Sequence, residues 1–429
     1  IKCIEDEIPF EVPEGWAWAR LRDICMMSAG KSKSTDQIKS EPFEGSYPCF
    51  GGNGVRGYVD EYNQDGIFSI VGRQGALCGN INIAIGKFYA TEHAVVTTLF
   101  DGIDFKWSNY ILEALRLNNY ATGAAQPGLS VANILNVFVP VPPTQEQDRI
   151  GNNVYESLKI VEALEQEKID LQKIIITAKT KILDLAIRGK LVPQDPNDEP
   201  ASVLLERIRT EKEELIKQGK IKRDKKESVI FKGDDNSYYL RTGRVEESLE
   251  DWRFDDLPET WKICCLGELC DYGDCINVNT EDIAEDAWIL DLEDIEKDTG
   301  TVLKKVTKDQ RNSVSTKHKF HSGQVLYSKL RPYLNKVVLS DADGYCTSEI
   351  LPLEFKNCVL PEYARYYLMS GTFIAYANHC SYGVKMPRLG TTDGKKAIFS
   401  LPPLSEQKRI VETIDFCFVQ LNKISEALA

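Results

Sequence analysis

The chain writes out one framework twice, and any fold it adopts has to accommodate that. Pro13-Glu14-Gly15-Trp16, followed by Arg20-Leu21-Arg22-Asp23-Ile24-Cys25, returns as Pro258-Glu259-Thr260-Trp261, followed by Cys265-Leu266-Gly267-Glu268-Leu269-Cys270, an offset of 258 − 13 = 245. Farther along, Pro142-Pro143-Thr144-Gln145-Glu146-Gln147-Asp148-Arg149-Ile150 returns as Pro402-Pro403-Leu404-Ser405-Glu406-Gln407-Lys408-Arg409-Ile410, now at 402 − 142 = 260. Each half opens and closes alike, while the interiors share almost no identity and the second carries a net insertion. A repeated frame with different fillings suits recognition of two different things by one geometry.

At 429 residues, two domains plus connecting elements are expected. The chain is 42% hydrophobic and 27% charged, which is ordinary for a globular protein with substantial cores. No apolar run approaches the roughly 18 residues that cross a bilayer, and no cleavable leader opens the sequence, so the expected location is cytoplasmic with no membrane partner. The 12 cysteines are scattered and read as reduced, buried thiols. Cys264-Cys265, Cys270 and Cys275 lack knuckle spacing, and Cys270 takes the repeat position of Cys25, so core packing is expected there and no metal. His318 and His321 read as a surface loop. The net charge of −13 hides basic stretches at 207–226 and 304–331 beside acidic ones at 248–256 and 281–298, so a local basic face can still meet phosphates.

Residues 1–143 read as an α/β unit, with strands at Ile67 to Val71, Ile81 to Ile85 and Ala94 to Phe100 and a helix at Trp107 to Asn118. From Thr144 to Arg188 apolar residues recur at 3-4 spacing (Val161, Leu164, Leu171, Ile175, Ala178, Ile182, Leu185), interrupted by Lys168, which predicts a long helix with a coiled-coil face. Thr144 is expected to cap it, with Gln147 at the third helical position. A helix over Ala201 to Gln218 comes after the proline-rich segment 193–200, and Lys220 to Ser248 reads as a loosely ordered linker. The second globular unit is expected at 249–401, with strands at Val325 to Ser328 and Lys336 to Leu339 and a helix at Pro361 to Met369. An amphipathic helix from Ser405 then fills 402–429.

Few motifs point to chemistry. Phe50-Gly51-Gly52-Asn53-Gly54 fits the glycine pattern of an S-adenosylmethionine site, but Val55 to Val59 reads as a turn running into a strand, and no base-flipping Asn-Pro-Pro-Tyr-like motif is present. The alternative is a glycine loop that lets backbone and Arg56 approach a polyanion. Gly30-Lys31-Ser32 lacks the leading glycine of a P-loop, and Asp343, Glu354 and Lys356 only loosely match a nuclease core. No catalytic residue is expected. What remains is recognition: Arg73 and Gln74 in the first unit, and Lys329, Arg331, Tyr333, Asn335 and Lys336 in the second, come after comparable Gly-led strands. Arg with Gln or Asn reads guanine and adenine edges, while Lys and Tyr suit phosphates. With Gly52, Asn53 and Arg56 these form the expected DNA-binding set, and a solvated loop is the competing reading for each.

The two Pro-Pro-x-x-Glu-Gln-x-Arg-Ile segments, the Pro-Glu-x-Trp openings and the run Leu183 to Pro196 resemble the specificity subunit of type I restriction-modification systems, over nearly the whole chain. The resemblance implies an α+β fold: two α/β target-recognition domains in pseudo-twofold arrangement, joined by long antiparallel coiled-coil helices. The expected parts are recognition domain 1 at 1–143, a central helical region and linker at 144–248, recognition domain 2 at 249–401 and a distal helix at 402–429. It also implies double-stranded DNA as ligand, two modification subunits that bring S-adenosylmethionine, and restriction subunits that bring ATP and Mg, with no cofactor on this chain. Ile1 to Phe10 resembles the segment that comes after the linker in such proteins, so a leading helix and linker are expected to precede it. Two other functions compete: a single-chain DNA methyltransferase or nuclease with its own recognition domain, and a coiled-coil adaptor with no DNA role.

Overall fold

The computed structural model describes residues 8–75, 77–123, 127–220, 228–235, 237–249, 257–311 and 314–428. The chain divides into two compact units, one up to Glu167 and one from Lys168.

In the first unit, eight strands are described: β1 (Ala17–Arg20), β2 (Cys25–Ala29), β3 (Tyr47–Gly51), β4 (Gly54–Val59), β5 (Gln64–Gly72), β6 (Ile81–Ala90), β7 (Ala94–Leu99) and β8 (Phe138–Val141). Six form a sheet in the order β2-β7-β5-β6-β3-β4, and β1 pairs with β8. Strand alternation explains its two cores: Ile70 faces a cluster with Phe50, Phe88 and Val96, while its neighbour Val71 faces one with Leu21, Trp107, Leu112 and Ile134. The expected strands stand, and the expected 107–118 helix is Phe105–Ala114 followed by a tight turn at Leu117–Tyr120.

The second unit repeats the frame. Lys262–Cys265 pairs with Ile398–Leu401 as β1 pairs with β8. In both units a one-turn helix comes after the opening strand, and its third residue's carboxylate accepts from the N–H three positions back. These bonds are Asp23 Oδ2 from Arg20 at 2.8 Å and Glu268 Oε1 from Cys265 at 3.0 Å. Cys25 and Cys270 both point their thiols at the carbonyl four residues back, and burial pushes the Cys25 thiol up to about 12. Between the framing strands lie a five-stranded and a three-stranded sheet.

The paired glutamines of the frame are rivets, not caps. Gln147 donates to Pro142 O (2.9 Å) and accepts from Asp104 N (2.9 Å), and Gln407 donates to Pro402 O (3.0 Å) and Cys358 O (2.9 Å) and accepts from Leu360 N (2.8 Å). Each satisfies a backbone N–H at the start of the unit's own helix, Phe105–Ala114 or Pro361–Leu368. The expected Thr144 cap does not form: Gln147 N donates to Pro143 O at 3.0 Å, and the Thr144 hydroxyl donates to Gly102 O at 3.1 Å. Gln407 is fully buried, so Gln407→Ala strands several backbone groups at about 1–3 kcal/mol for each orphan. Urea unfolding is expected to register a loss of at least that size, and a loss under about 0.5 kcal/mol would contradict the rivet.

The long helix is Thr144–Ile187, and Leu404–Ala427 closes the chain. Within the second unit the two touch where Lys179 donates to Asn422 at 2.7 Å and lies over the Phe418 ring. The seam is covered from Ile175 onward, whereas Val161, Leu164 and Leu171 are exposed. Two expectations are corrected. Of the supposed linker 220–248, residues 221–227 and 236 lie outside the described residues. The rest holds a three-stranded antiparallel sheet (Ser228–Lys232, Tyr238–Thr242, Val245–Ser248), whose Ile230 and Leu240 pack with Ile263 and Ile398. His318 is buried in the strand Lys317–Phe320, with Nδ1 2.8 Å from Ile350 O, and only His321 is on the surface.

Candidate nucleic-acid interface

One short piece of backbone wiring occurs in both units, and it carries four of the predicted residues, Arg73, Gln74, Lys329 and Arg331. In the first, the chain leaves β5 at Gly72 and continues extended: Arg73 N donates to His93 O (3.0 Å), Leu129 N to Arg73 O (2.8 Å) and Gly75 N to Pro127 O (3.0 Å). Beyond it, Thr122 and Gly128 exchange both backbone bonds at 2.9 Å. The second unit makes the same set: Lys329 N to Glu349 O (3.0 Å), Leu389 N to Lys329 O (3.0 Å), Arg331 N to Pro387 O (2.7 Å), and Tyr382 exchanging both bonds with Arg388. The correspondence fixes where the second half is longer. Arg73 matches Lys329 at 329 − 73 = 256, and Gly128 matches Arg388 at 388 − 128 = 260. Residues are therefore added both before and after the clasp's first strand, which is constant in wiring and free in side chains.

In the first unit the glycine motif presses onto this clasp. Gly51 pairs with Gly54 across a two-residue hairpin turn, so the turn leads into a strand and not into the helix that a nucleotide cofactor needs. Gly72 has to lack a side chain, since a Cβ there would lie 2.0 Å from Gly52 O, and one on Gly52 would lie 3.3 Å from Gln74 O. Asn80 donates to Asn53 at 3.0 Å. The structure thus brings Gly52, Asn53, Arg73 and Gln74 together. Arg73 and Gln74 are exposed, and Arg73 Nε touches Leu129 O at 3.3 Å. Arg56, on the far side of the hairpin, is exposed and donates to Thr35 at 3.1 Å.

The five predicted residues of the second unit part ways. Asn335 is buried and donates to Met369 O (3.3 Å), and Lys336 donates to Leu292 O (2.6 Å), with burial holding its ammonium pKa down. Both side chains are turned to backbone carbonyls here, whereas the sequence reading groups them with DNA contacts. Tyr333 is exposed at 47%. Lys329 and Arg331 are half-buried, and among the described residues neither side chain has an ion-pair or hydrogen-bond partner. Arg331 stands at φ +50°, where its counterpart Gly75 stands at φ +93°. A Cβ-bearing residue in this region costs about 1–2 kcal/mol, and such strain marks sites under functional constraint.

The basic stretch 304–331 is far less basic in space than in sequence. Lys304 lies against Asp294, Lys305 against Asp341, Lys308 against Glu285, and Arg311 against Asp291 and Asp294. The acidic run 281–298 pairs with Lys304, Lys308 and Arg311 and Asp341 with Lys305, while Lys319, Lys329 and Arg331 are without ion pairs among the described residues. The clasp's backbone bonds also involve Tyr382, Arg388, Glu349 and His93, which the sequence reading does not single out; the 260 offset of the Pro-Pro frame relates the first two to Thr122 and Gly128. Asp343, Glu354 and Lys356 do not converge, each bonding elsewhere (Ser322 N, Gln324 and Glu268 O). No His/Cys/Asp/Glu group among the described residues is arranged to hold a metal, and no described helix is long and apolar enough to cross a membrane.

A family model described as the type I restriction modification DNA specificity domain matches residues 13–178 and again 258–427. The type I restriction enzyme EcoAI specificity subunit of Escherichia coli is 25% identical, the match covering 98% of this chain and 80% of that one. The EcoprrI specificity subunit of the same species is 50% identical over 123 residues, which is 28% of this chain and 31% of that relative. Among solved structures, the HsdS subunit from Thermoanaerobacter tengcongensis has a TM-score of 0.53 at 15% identity, covering 98% of this chain and 93% of that one. A second, from work titled on complex assembly and conformational transition of the type I R-M system, has a TM-score of 0.54 at 15% identity, covering 98% and 94%. These two likenesses concern the fold.

Proposed function

Because the chain belongs to the type I restriction-modification DNA specificity family, we propose that each unit reads one half of a bipartite duplex target through its clasp, and that the chain confers sequence specificity without catalysing. The observation that carries this reading is the clasp itself, repeated bond for bond with different side chains: Arg73, Gln74 and Gly75 in one unit, Lys329, Leu330 and Arg331 in the other. Constant backbone with variable donors is what reading two different half-sites requires, since base edges are told apart by hydrogen-bond pattern.

Catalysis then lies with partner subunits: two modification subunits with S-adenosylmethionine, and restriction subunits with ATP and Mg. The exposed apolar positions Leu158, Val161, Leu164 and Leu171 along the long helix suit a partner's helices, which would cover them as coiled-coil neighbours do. An enzymatic reading has less support, as the glycine motif opens a hairpin and the nuclease-like trio is dispersed.

The helix Thr144–Ile187, which runs from one unit into the other, makes the spacer testable. Four residues inserted near Glu165 add about one turn, roughly 6 Å, which matches about two base pairs at 3.4 Å each. Mapping of methylated sites in cells that also express the modification subunits is expected to show a changed spacer between unchanged half-sites. Altered half-site sequences with the old spacer would overturn the ruler.

A further inference from the structure

We propose that the Glu349–Arg388 ion pair is a positioning device for the second unit's reading strand, so that base preference at one half-site depends on two residues that touch no base. The inference rests on the DNA reading above and adds a requirement to it. Glu349 and Arg388 sit on opposite sides of the strand 329–331: Glu349 O accepts from Lys329 N, and Arg388 lies across from Leu330. Their side chains close over that strand in a forked pair, Arg388 Nε at 3.1 Å from both Glu349 oxygens and Nη2 at 2.8 Å from Oε1. The remaining guanidinium nitrogen, Nη1, donates to Met386 O at 3.1 Å, so all three nitrogens of Arg388 are turned inward on protein acceptors. Forked pairs of this kind fix orientation as well as supplying energy.

What the tie holds is a backbone that resists its own shape. Arg331 stands in the left-handed region, bonded to Pro387 O beside the tie, with its guanidinium unpartnered and its Nε buried. The first unit supplies the internal control. There the left-handed residue is Gly75, which adopts that backbone freely, and the positions of Glu349 and Arg388 are held by His93 and Gly128, which cannot pair. At the clasp positions, strained arginine and tie occur together in one unit, and the other has Gly75, His93 and Gly128 there. The clasp's cations therefore divide: Arg388 is neutralised in place, while Lys329 and Arg331 stay available to the duplex.

The test uses the full chain assembled with modification subunits, a random-sequence duplex library, and salt-dependent binding of the selected duplex. Glu349→Gln and Arg388→Gln are expected to lower discrimination at the second half-site by about tenfold or more. The first half-site should keep its sequence, and the salt dependence its slope. Arg388→Lys, which keeps charge without the fork, should fall between wild type and Arg388→Gln, and the exchanged pair Glu349→Arg with Arg388→Glu should regain part of the lost discrimination. Loss of affinity on all duplexes alike, with the salt slope reduced by about one, would make Arg388 a phosphate ligand and overturn the proposal. So would unchanged discrimination in the single variants, or an exchanged pair no better than the worse single. If a single variant fails to fold, the Arg388→Lys and exchanged-pair results decide. Failure of the wild-type assembly to select any duplex would instead sink the DNA reading itself.

Discussion

Arg311→Ala is expected to lower the unfolding free energy of the second unit by about 3–5 kcal/mol, the usual result of removing one partner from a buried ion pair. Arg311 is nearly buried and bonds Asp291 and Asp294, the latter at 2.6 Å, while Asp294 is fully buried. Without the guanidinium, Asp294 keeps a backbone bond from Asp291 N at 2.8 Å and only a long approach from Lys304 at 3.7 Å. A buried carboxylate with so little compensation is what makes the change severe. Arg311→Met combined with Asp294→Asn removes both charges and retains the backbone bond, so most of the stability should return. Denaturant unfolding of the two variants and wild type checks both statements, and a single-variant loss under about 1 kcal/mol would show the pair to be superficial. The effect should reach the interface, because Lys336 is anchored to Leu292 O in the same loop, five residues beyond Arg331.

Arg331→Ala is expected to cost about 1–3 kcal/mol of discrimination, a factor of roughly 5 to 150, and at one half-site only. A second substitution separates reading from folding. Arg331→Gly also removes the guanidinium but relieves the left-handed backbone at φ +50°, so its stability should equal or exceed wild type while its discrimination matches Arg331→Ala. An equal loss at both half-sites, or a glycine variant that keeps its preference, would mean that Arg331 holds structure instead. The comparison is favourable because the first unit already uses glycine at the matching position, Gly75.

Much of this architecture was legible in the sequence, for local reasons. The Pro-Pro break and the 3-4 apolar spacing marked the long helix to within a residue, because proline termination and helical periodicity act over a few positions. The paired cysteines at 25 and 270 were readable as core for a similar reason: the offset of 245 puts them at equivalent positions of the repeated frame. What stayed hidden depends on distant partners. Ser228 to Ser248 looked like linker because its strands are short and its turns polar, and only packing against Ile263 and Ile398 makes it a sheet. The basic stretch 304–331 looked available to phosphates because its acidic partners at 285, 291, 294 and 341 lie in other segments. Asn335 and Lys336 have donor chemistry suited to DNA, but the chain turns both toward backbone carbonyls. Of the predicted site, the exposed Arg73 and Gln74 and the half-buried Lys329 and Arg331 are the ones the clasp joins into a common arrangement.

The most direct measurement is to sequence the duplexes retained from a random library by the assembled chain, once with the native protein and once with only Lys329, Leu330 and Arg331 replaced by Arg, Gln and Gly from the first unit's clasp. Two readers on one frame predict a bipartite motif from the native protein, and from the exchanged protein a motif altered in one half and unchanged in the other. A single continuous motif from the native protein, or an exchange that alters both halves together, would contradict them.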